Sequence, residues 1–240
     1  EQRKEGFLFN NLEFVPSKCN YSFGYTNFSS NSDKIDISID QFIPIEDSVK
    51  VYILKVSNKL KKKQKITIDY FIKPILGSNI DDYKYVISDI VDDKYMLLKN
   101  VFNPNYKDIS TFITTDMKIN NYDIFNISRN SISVNLELDS LSSKEFFFAI
   151  GSSSDKDISS MIEKYSNLDS ILLEFDKLKK YWDKLLNKKI QLGTDLNLYY
   201  KWSLYQAIMN NYSHSNYYNY TGVCNCKEKL TSSLLLLPFD

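Results

Sequence analysis

The chain has 240 residues and balances 30 Lys+Arg against 30 Asp+Glu, so its formal net charge is zero. That neutrality offers no electrostatic footprint for nucleic acid, and no apolar run approaches the roughly 20 residues a bilayer-spanning helix needs. No charged-then-apolar leader opens the sequence, which points to a cytoplasmic protein, and the start at Glu1 rather than Met points to a missing N-terminal piece.

From about residue 20 to 150 the hydrophobic period is two. KIDISID sets Ile35, Ile37 and Ile39 against Asp36, Ser38 and Asp40, the alternation of a half-buried strand. VKVYILKVSN is apolar on both faces and reads as an interior strand of a layered sheet. The basic run Lys59–Lys65 follows and reads as a solvated hairpin turn, its charge answered by Asp81, Asp82, Asp92 and Asp93. KITIDYFIKPILG repeats the alternation through Ile66, Ile68, Tyr70 and Ile72, and SISVNLELDSL and KEFFFAIG complete the set. Many strands with polar turns and no intervening helical period predict a β-sandwich.

The pattern changes at Gly151. SSSDKD reads as a polar linker rich in N-cap residues. Leu168, Ile171, Phe175, Leu178, Trp182 and Leu185 then step by three and four, one apolar stripe of a helix. A second helix is predicted through DLNLYYKWSLYQAIMNNY, capped by Thr194 or Asp195, and a third from near Lys229.

Three cysteines do not make a disulfide framework. Cys224 and Cys226 lack the spacing of zinc knuckles and redox motifs, and only Cys19 and His214 remain as nitrogen or sulfur ligands. They are expected to be ordinary reduced thiols. His214 has no Ser or Asp constellation to make it a general base. Sequons such as Asn20-Tyr-Ser fall where an Asn/Ser-rich sequence produces them, and they matter only in a secreted protein.

One ordered series of motifs is more specific. Gly24-Tyr25-Thr26-Asn27-Phe28, then Phe42-Ile43-Pro44-Ile45-Glu46-Asp47-Ser48-Val49-Lys50, then Val56-Ser57-Asn58 resemble the opening of a known sandwich. Tyr70 with Ile75-Leu76-Gly77, Lys99-Asn100-Val101-Phe102-Asn103, Gln191-Leu192-Gly193-Thr194-Asp195 and Trp202-Ser203-Leu204-Tyr205-Gln206 follow in the same order. The series resembles the inverting glycoside phosphorylases of glycoside hydrolase family 94. That family includes the cellobiose and chitobiose phosphorylases and the cyclic β-1,2-glucan synthases, and the phosphorylase portion of the synthases is the nearer likeness.

The resemblance implies a super-sandwich over residues 1–152, a helical linker over 153–188, and the first helices of an incomplete (α/α)6 barrel over 189–240. It implies glycosyl transfer to or from inorganic phosphate as co-substrate, with no further cofactor and no metal. An inverting hydrolase needs a general acid and a base that activates water. Phosphate is already anionic, so one acid suffices, and the family's Asp acid lies downstream of the position matching Asp240. The resemblance therefore implies no catalytic residue in this chain and no activity of the chain alone.

It does imply a sugar-binding loop. Tyr217–Ser232 lies without a gap over a family segment in which an Arg-Asp pair reads adjacent sugar hydroxyls. Lys227 takes the Arg position, Glu228 the Asp position, Gly222 is kept, and Tyr218 and Gln206 fall at family positions beside them. Lysine offers no planar fork and Glu is one methylene longer, so the subsite reads as degenerate. Expected partners are a β-glucan or β-glucoside, with the remaining barrel polypeptide or a second copy to cover the helices. The alternative reading is a non-catalytic carbohydrate-binding or assembly module.

Overall fold

A computed structural model of the chain describes residues 5–74, 76, 86–91, 93–102, 104, 107–123, 130–187 and 194–211. Among these, thirteen strands form two antiparallel sheets and three helices follow. The strands are β1 Glu5–Phe9, β2 Leu12–Glu13, β3 Lys18–Ser22, β4 Tyr25–Asn31, β5 Ile35–Phe42, β6 Val49–Asn58 and β7 Gln64–Ile72. After them come β8 Val86–Val91, β9 Tyr95–Asn100, β10 Ile109–Thr115, β11 Ile119–Asp123, β12 Asn130–Leu138 and β13 Ser143–Ser154. The helices are α1 Ile158–Lys164, α2 Leu168–Leu186 and α3 Thr194–Asn211.

The smaller sheet has the order β11-β12-β7-β1-β2 and the larger β3-β4-β5-β6-β13-β10-β9-β8. Their facing sides close one core, in which Ile39, Leu54, Val56, Ile68, Tyr70, Ile132, Val134, Leu136, Phe146 and Phe148 are buried. Alternation explains most of this set. Ile66, Ile68 and Tyr70 face inward from β7, and Ile132, Val134, Leu136 and Leu138 from β12. Phe7, Tyr52, Tyr70 and Phe148 bring their rings together at 5.2–5.8 Å, which fills one end of the core with aromatic edges and faces.

The larger sheet is buried on both sides at its centre, as the sequence of β6 predicts. Tyr52, Leu54 and Val56 enter the sandwich, while Val49, Val51 and Ile53 are buried on the opposite face. On that outer face Phe175 of α2 stacks on Phe42 at 4.7 Å and meets Tyr25 edge-on at 5.0 Å. Phe42 shares its face with the polar Asp36, Ser38 and Asp40, so an alternation rule alone would place it in water. The helix covers it instead.

Turn chemistry fixes the registers. Asn10 and Asn11 both take positive φ, the pairing that a two-residue hairpin requires between Phe9 and Leu12. Gly24, with φ 83°, turns β3 into β4 with Ser22 opposite Tyr25. Lys59–Lys63 forms the connection between β6 and β7, two residues shorter than the Lys59–Lys65 turn expected, because Gln64 and Lys65 already pair with Leu138 and Glu137 of β12. β13 runs to Ser154, three residues beyond the break expected at Gly151, because its tail still pairs with β10 as far as Ile109.

α1 begins after Asp157, whose carboxylate accepts the Ser154 hydroxyl rather than a helix-end N–H. Along α2 the buried positions are Ile171, Phe175, Leu178, Trp182 and Leu186. The stripe thus ends on Leu186, where the sequence reading had Leu185: a 3.6-residue period drifts by one position over four turns. The chain divides into two compact units, Glu1–Asp176 and Lys177–Asp240. Within the second, Trp182 of α2 meets Tyr205 of α3 at 4.7 Å, and Trp202 meets Tyr205 edge-on at 5.6 Å.

Candidate functional site

The family-like motifs of the sandwich resolve into four anchored polar positions. Asp47, in the β5–β6 connection, accepts the Tyr165 hydroxyl at 2.6 Å and the Lys164 ammonium at 2.5 Å. Lys164 also lies 3.7 Å from buried Glu174. Burial alone would lower the Lys164 pKa, but Asp47, Glu174 and Glu46 together hold it above the ordinary lysine value. Tyr165 is fully buried, and burial followed by the Asp47 carboxylate keeps its hydroxyl protonated far into the alkaline range. The charge of Asp47 therefore fastens the end of α1 to the sandwich.

Lys50, the last residue of the same motif, donates to Glu5 Oε2 at 2.6 Å. Glu5 Oε1 accepts the hydroxyls of Tyr52 at 2.7 Å and Tyr70 at 2.6 Å. β1 and β7 belong to one sheet and β6 to the other, so this carboxylate ties the two sheets together. Desolvation would raise its pKa, but the donors Lys50, Tyr70 and Tyr52 outweigh it and hold the carboxyl below its ordinary value.

Asn58 and Asn100 close loops. Asn58 is 3% exposed, donates to the carbonyls of Lys62 and Asp139, and accepts the Leu60 N–H at 2.9 Å. Fully buried Asn100 donates to the Leu76 carbonyl and accepts the Phe102 N–H. Each amide uses both its donor and acceptor ends on backbone, which a carboxylate could not do. Asp155 likewise holds Lys99 and the Ser110 hydroxyl.

These carboxylates are structural by their partners, and their arrangement does not pair a general acid with a base. Among the described residues, no group of three or more His, Cys, Asp or Glu could hold a metal ion. Nor is any described helix long and apolar enough to cross a membrane. Gln206 sits on the exposed side of α3. Tyr218, Gly222, Lys227 and Glu228 lie outside the described residues, as do Cys224, Cys226 and His214. Sequence reasoning did not find the Glu5 tie. Its signal was a lone acid in the β1 stretch EGFLF, uninformative until the fold sets Lys50, Tyr52 and Tyr70 around it.

The fold is a sandwich of two antiparallel sheets followed by helices, and part of it is similar to a known supersandwich domain. Residues 13–131 match the family model for the supersandwich domain of glycosyl hydrolase 94. Among solved structures, a bacterial glucoamylase complexed with acarbose superposes with a TM-score of 0.51 at 14% identity, over 86% of this chain and 35% of that one. A putative kojibiose phosphorylase from the human microbiome gives 0.42 at 14% identity, over 84% of this chain and 27% of that one. The chain thus spans about a third or less of the length of these two structures. No curated protein sequence matches it.

Proposed function

We propose that this chain is the N-terminal part of an inverting β-glucoside phosphorylase or a cyclic β-1,2-glucan synthase-like protein, transferring a glucosyl unit to or from inorganic phosphate. The observation that carries this reading is the match of residues 13–131 to the glycosyl hydrolase 94 supersandwich. The motif residues Gly24, Asp47, Lys50, Asn58 and Asn100 support it. Each has a defined task in building the sandwich, so the likeness extends to residues that the fold uses.

In this reading α3 opens an (α/α)6 barrel, the general-acid Asp comes from a later segment, and Lys227 and Glu228 contact the glucosyl unit. The sandwich itself supplies no acid to the reaction. Its carboxylates Glu5, Asp47 and Asp155 are held by lysine, tyrosine and serine donors. The same observation favours the second reading, a non-catalytic carbohydrate-binding or assembly module. One experiment separates the two: phosphate release or consumption is followed with a β-glucoside and this chain, alone and with the following segment supplied. The phosphorylase reading requires turnover only in the second case. Saturable β-glucan binding with no turnover in either case favours the module.

A further inference from the structure

One end of the sandwich is closed by three neighbouring turns that hydrogen-bond to one another. The Asn58 amide donates to the Lys62 carbonyl of the β6–β7 turn and to the Asp139 carbonyl of the β12–β13 turn. The Leu141 N–H donates across the same gap to the Leu60 carbonyl at 3.1 Å. The β4–β5 turn joins them through the Lys34 carbonyl, which accepts the Lys59 N–H at 3.0 Å and the Gln64 side-chain amide at 3.3 Å. The three turns thus form one built tip.

Leu141 is the residue that the construction of this tip does not need. It takes the third position of the turn Asp139–Ser142 with φ 53°, where glycine or asparagine is usual, and it is 63% exposed. The other non-glycine residues with positive φ among those described are Asn10, Asn11 and Asp93, whose short polar side chains tolerate it. Leu141 combines a left-handed backbone with an apolar side chain in water, and each is unfavourable. Backbone strain held in place by surrounding hydrogen bonds points to a task for the side chain.

The charges around Leu141 are of one sign. The turns 32–34, 59–63 and 139–142 carry five lysines, at 34, 59, 61, 62 and 63, against Asp33 and Asp139. Lys59 and Lys63 are answered by Asp36 and Asp139 at 3.2 and 3.1 Å. Lys34, Lys61 and Lys62 are exposed and have no ion pair among the described residues.

We propose that this tip docks the sandwich onto an anionic lipid surface, with the lysines among the headgroups and Leu141 at the boundary of the acyl chains. A soluble polyanion would answer the lysines equally well, but it offers Leu141 no apolar medium to enter. A bilayer surface supplies both the charge and the apolar layer. Binding of this kind is weak and reversible, each lysine near the surface contributes about fivefold in affinity, and salt screens it.

The test is cosedimentation of the full chain with two kinds of vesicle, phosphatidylcholine alone and phosphatidylcholine with about 30% phosphatidylserine. Binding should require the anionic lipid and weaken as salt is raised. Lys61→Glu with Lys62→Glu should weaken it at least about 25-fold, two lysines at about fivefold each. Leu141→Asn keeps a residue suited to the left-handed backbone, so its urea midpoint should hold or rise while binding falls several-fold. Loss of binding in the lysine variant with none in Leu141→Asn assigns the tip to a soluble polyanion and overturns the proposal. Equal binding to the two kinds of vesicle, binding that survives the lysine variant, or no binding to the anionic vesicles overturns it as well.

Discussion

Glu5 shows how one titrating group can report on the meeting of two sheets. Its carboxyl is held below its ordinary pKa against the cost of burial, because Lys50, Tyr52 and Tyr70 all donate to it. A carboxylate with a depressed folded pKa contributes stability that is complete above its unfolded pKa and is lost as pH falls through the folded one. The urea midpoint of the chain should therefore fall as pH drops below about 4.5, and Glu5→Gln should flatten that dependence while lowering stability at pH 7. A variant that keeps the wild-type slope would remove Glu5 from the account.

Lys227 and Glu228 make the second residue-scale prediction. If they occupy the positions of an Arg-Asp pair, Lys227→Arg with Glu228→Asp should tighten β-glucoside binding on the order of tenfold, about one bidentate hydrogen bond's worth. Calorimetry on the two proteins measures this directly, and equal affinity would detach the pair from the sugar.

At the scale of elements, the outer face of the large sheet is where packing decides most. A Cβ on Gly151 would lie 2.7 Å from both Phe112 and Val49, and Phe112 is fully buried. Gly151→Ala should cost about 1–3 kcal/mol through overpacking, read as a fall in urea midpoint at unchanged slope. Phe175→Ala should cost about 3–5 kcal/mol, because it removes the ring that covers Phe42 and Tyr25. It should also weaken the near-ultraviolet dichroism of those aromatics. The two substitutions act from different elements on one layer, and their sum tests whether the sheet and α2 unfold together.

For the whole molecule, the expectation is a folded chain without turnover. Glu5, Asp47 and Asp155 are held by lysine, tyrosine and serine donors, whereas a phosphorolytic step needs a carboxyl that can release a proton to a leaving oxygen. Assays with a β-glucoside and inorganic phosphate should therefore give no product from this chain alone. Robust turnover would place a general acid inside these 240 residues and overturn the phosphorylase-part reading and the module reading together.

Alternation made much of the sandwich legible: KIDISID, KITIDYFI and SISVNLEL bury Ile37, Ile39, Ile66, Ile68, Tyr70, Ile132, Val134 and Leu136 as their period assigns, while the strand-end Ile35 and Ile72 are only partly buried. The period of α2 was equally clear. The helix α1, the β1–β2 hairpin and the edge strands were not, because five to seven residues of mixed polarity carry too little periodicity to read. The candidate sugar loop was legible only as a resemblance, and it lies outside the described residues.

Local sequence, then, determined by itself which residues turn inward along the alternating strands and along α2, since side-chain period acts within a few residues. Only the tertiary structure decided that Phe42 is buried on a polar face, that Glu5 is a tie between sheets, and that Asp47 holds Lys164 and Tyr165 from 117 and 118 residues away. Burial, desolvation and hydrogen-bond geometry depend on groups brought together from distant parts of the chain, and no local pattern encodes which groups those will be.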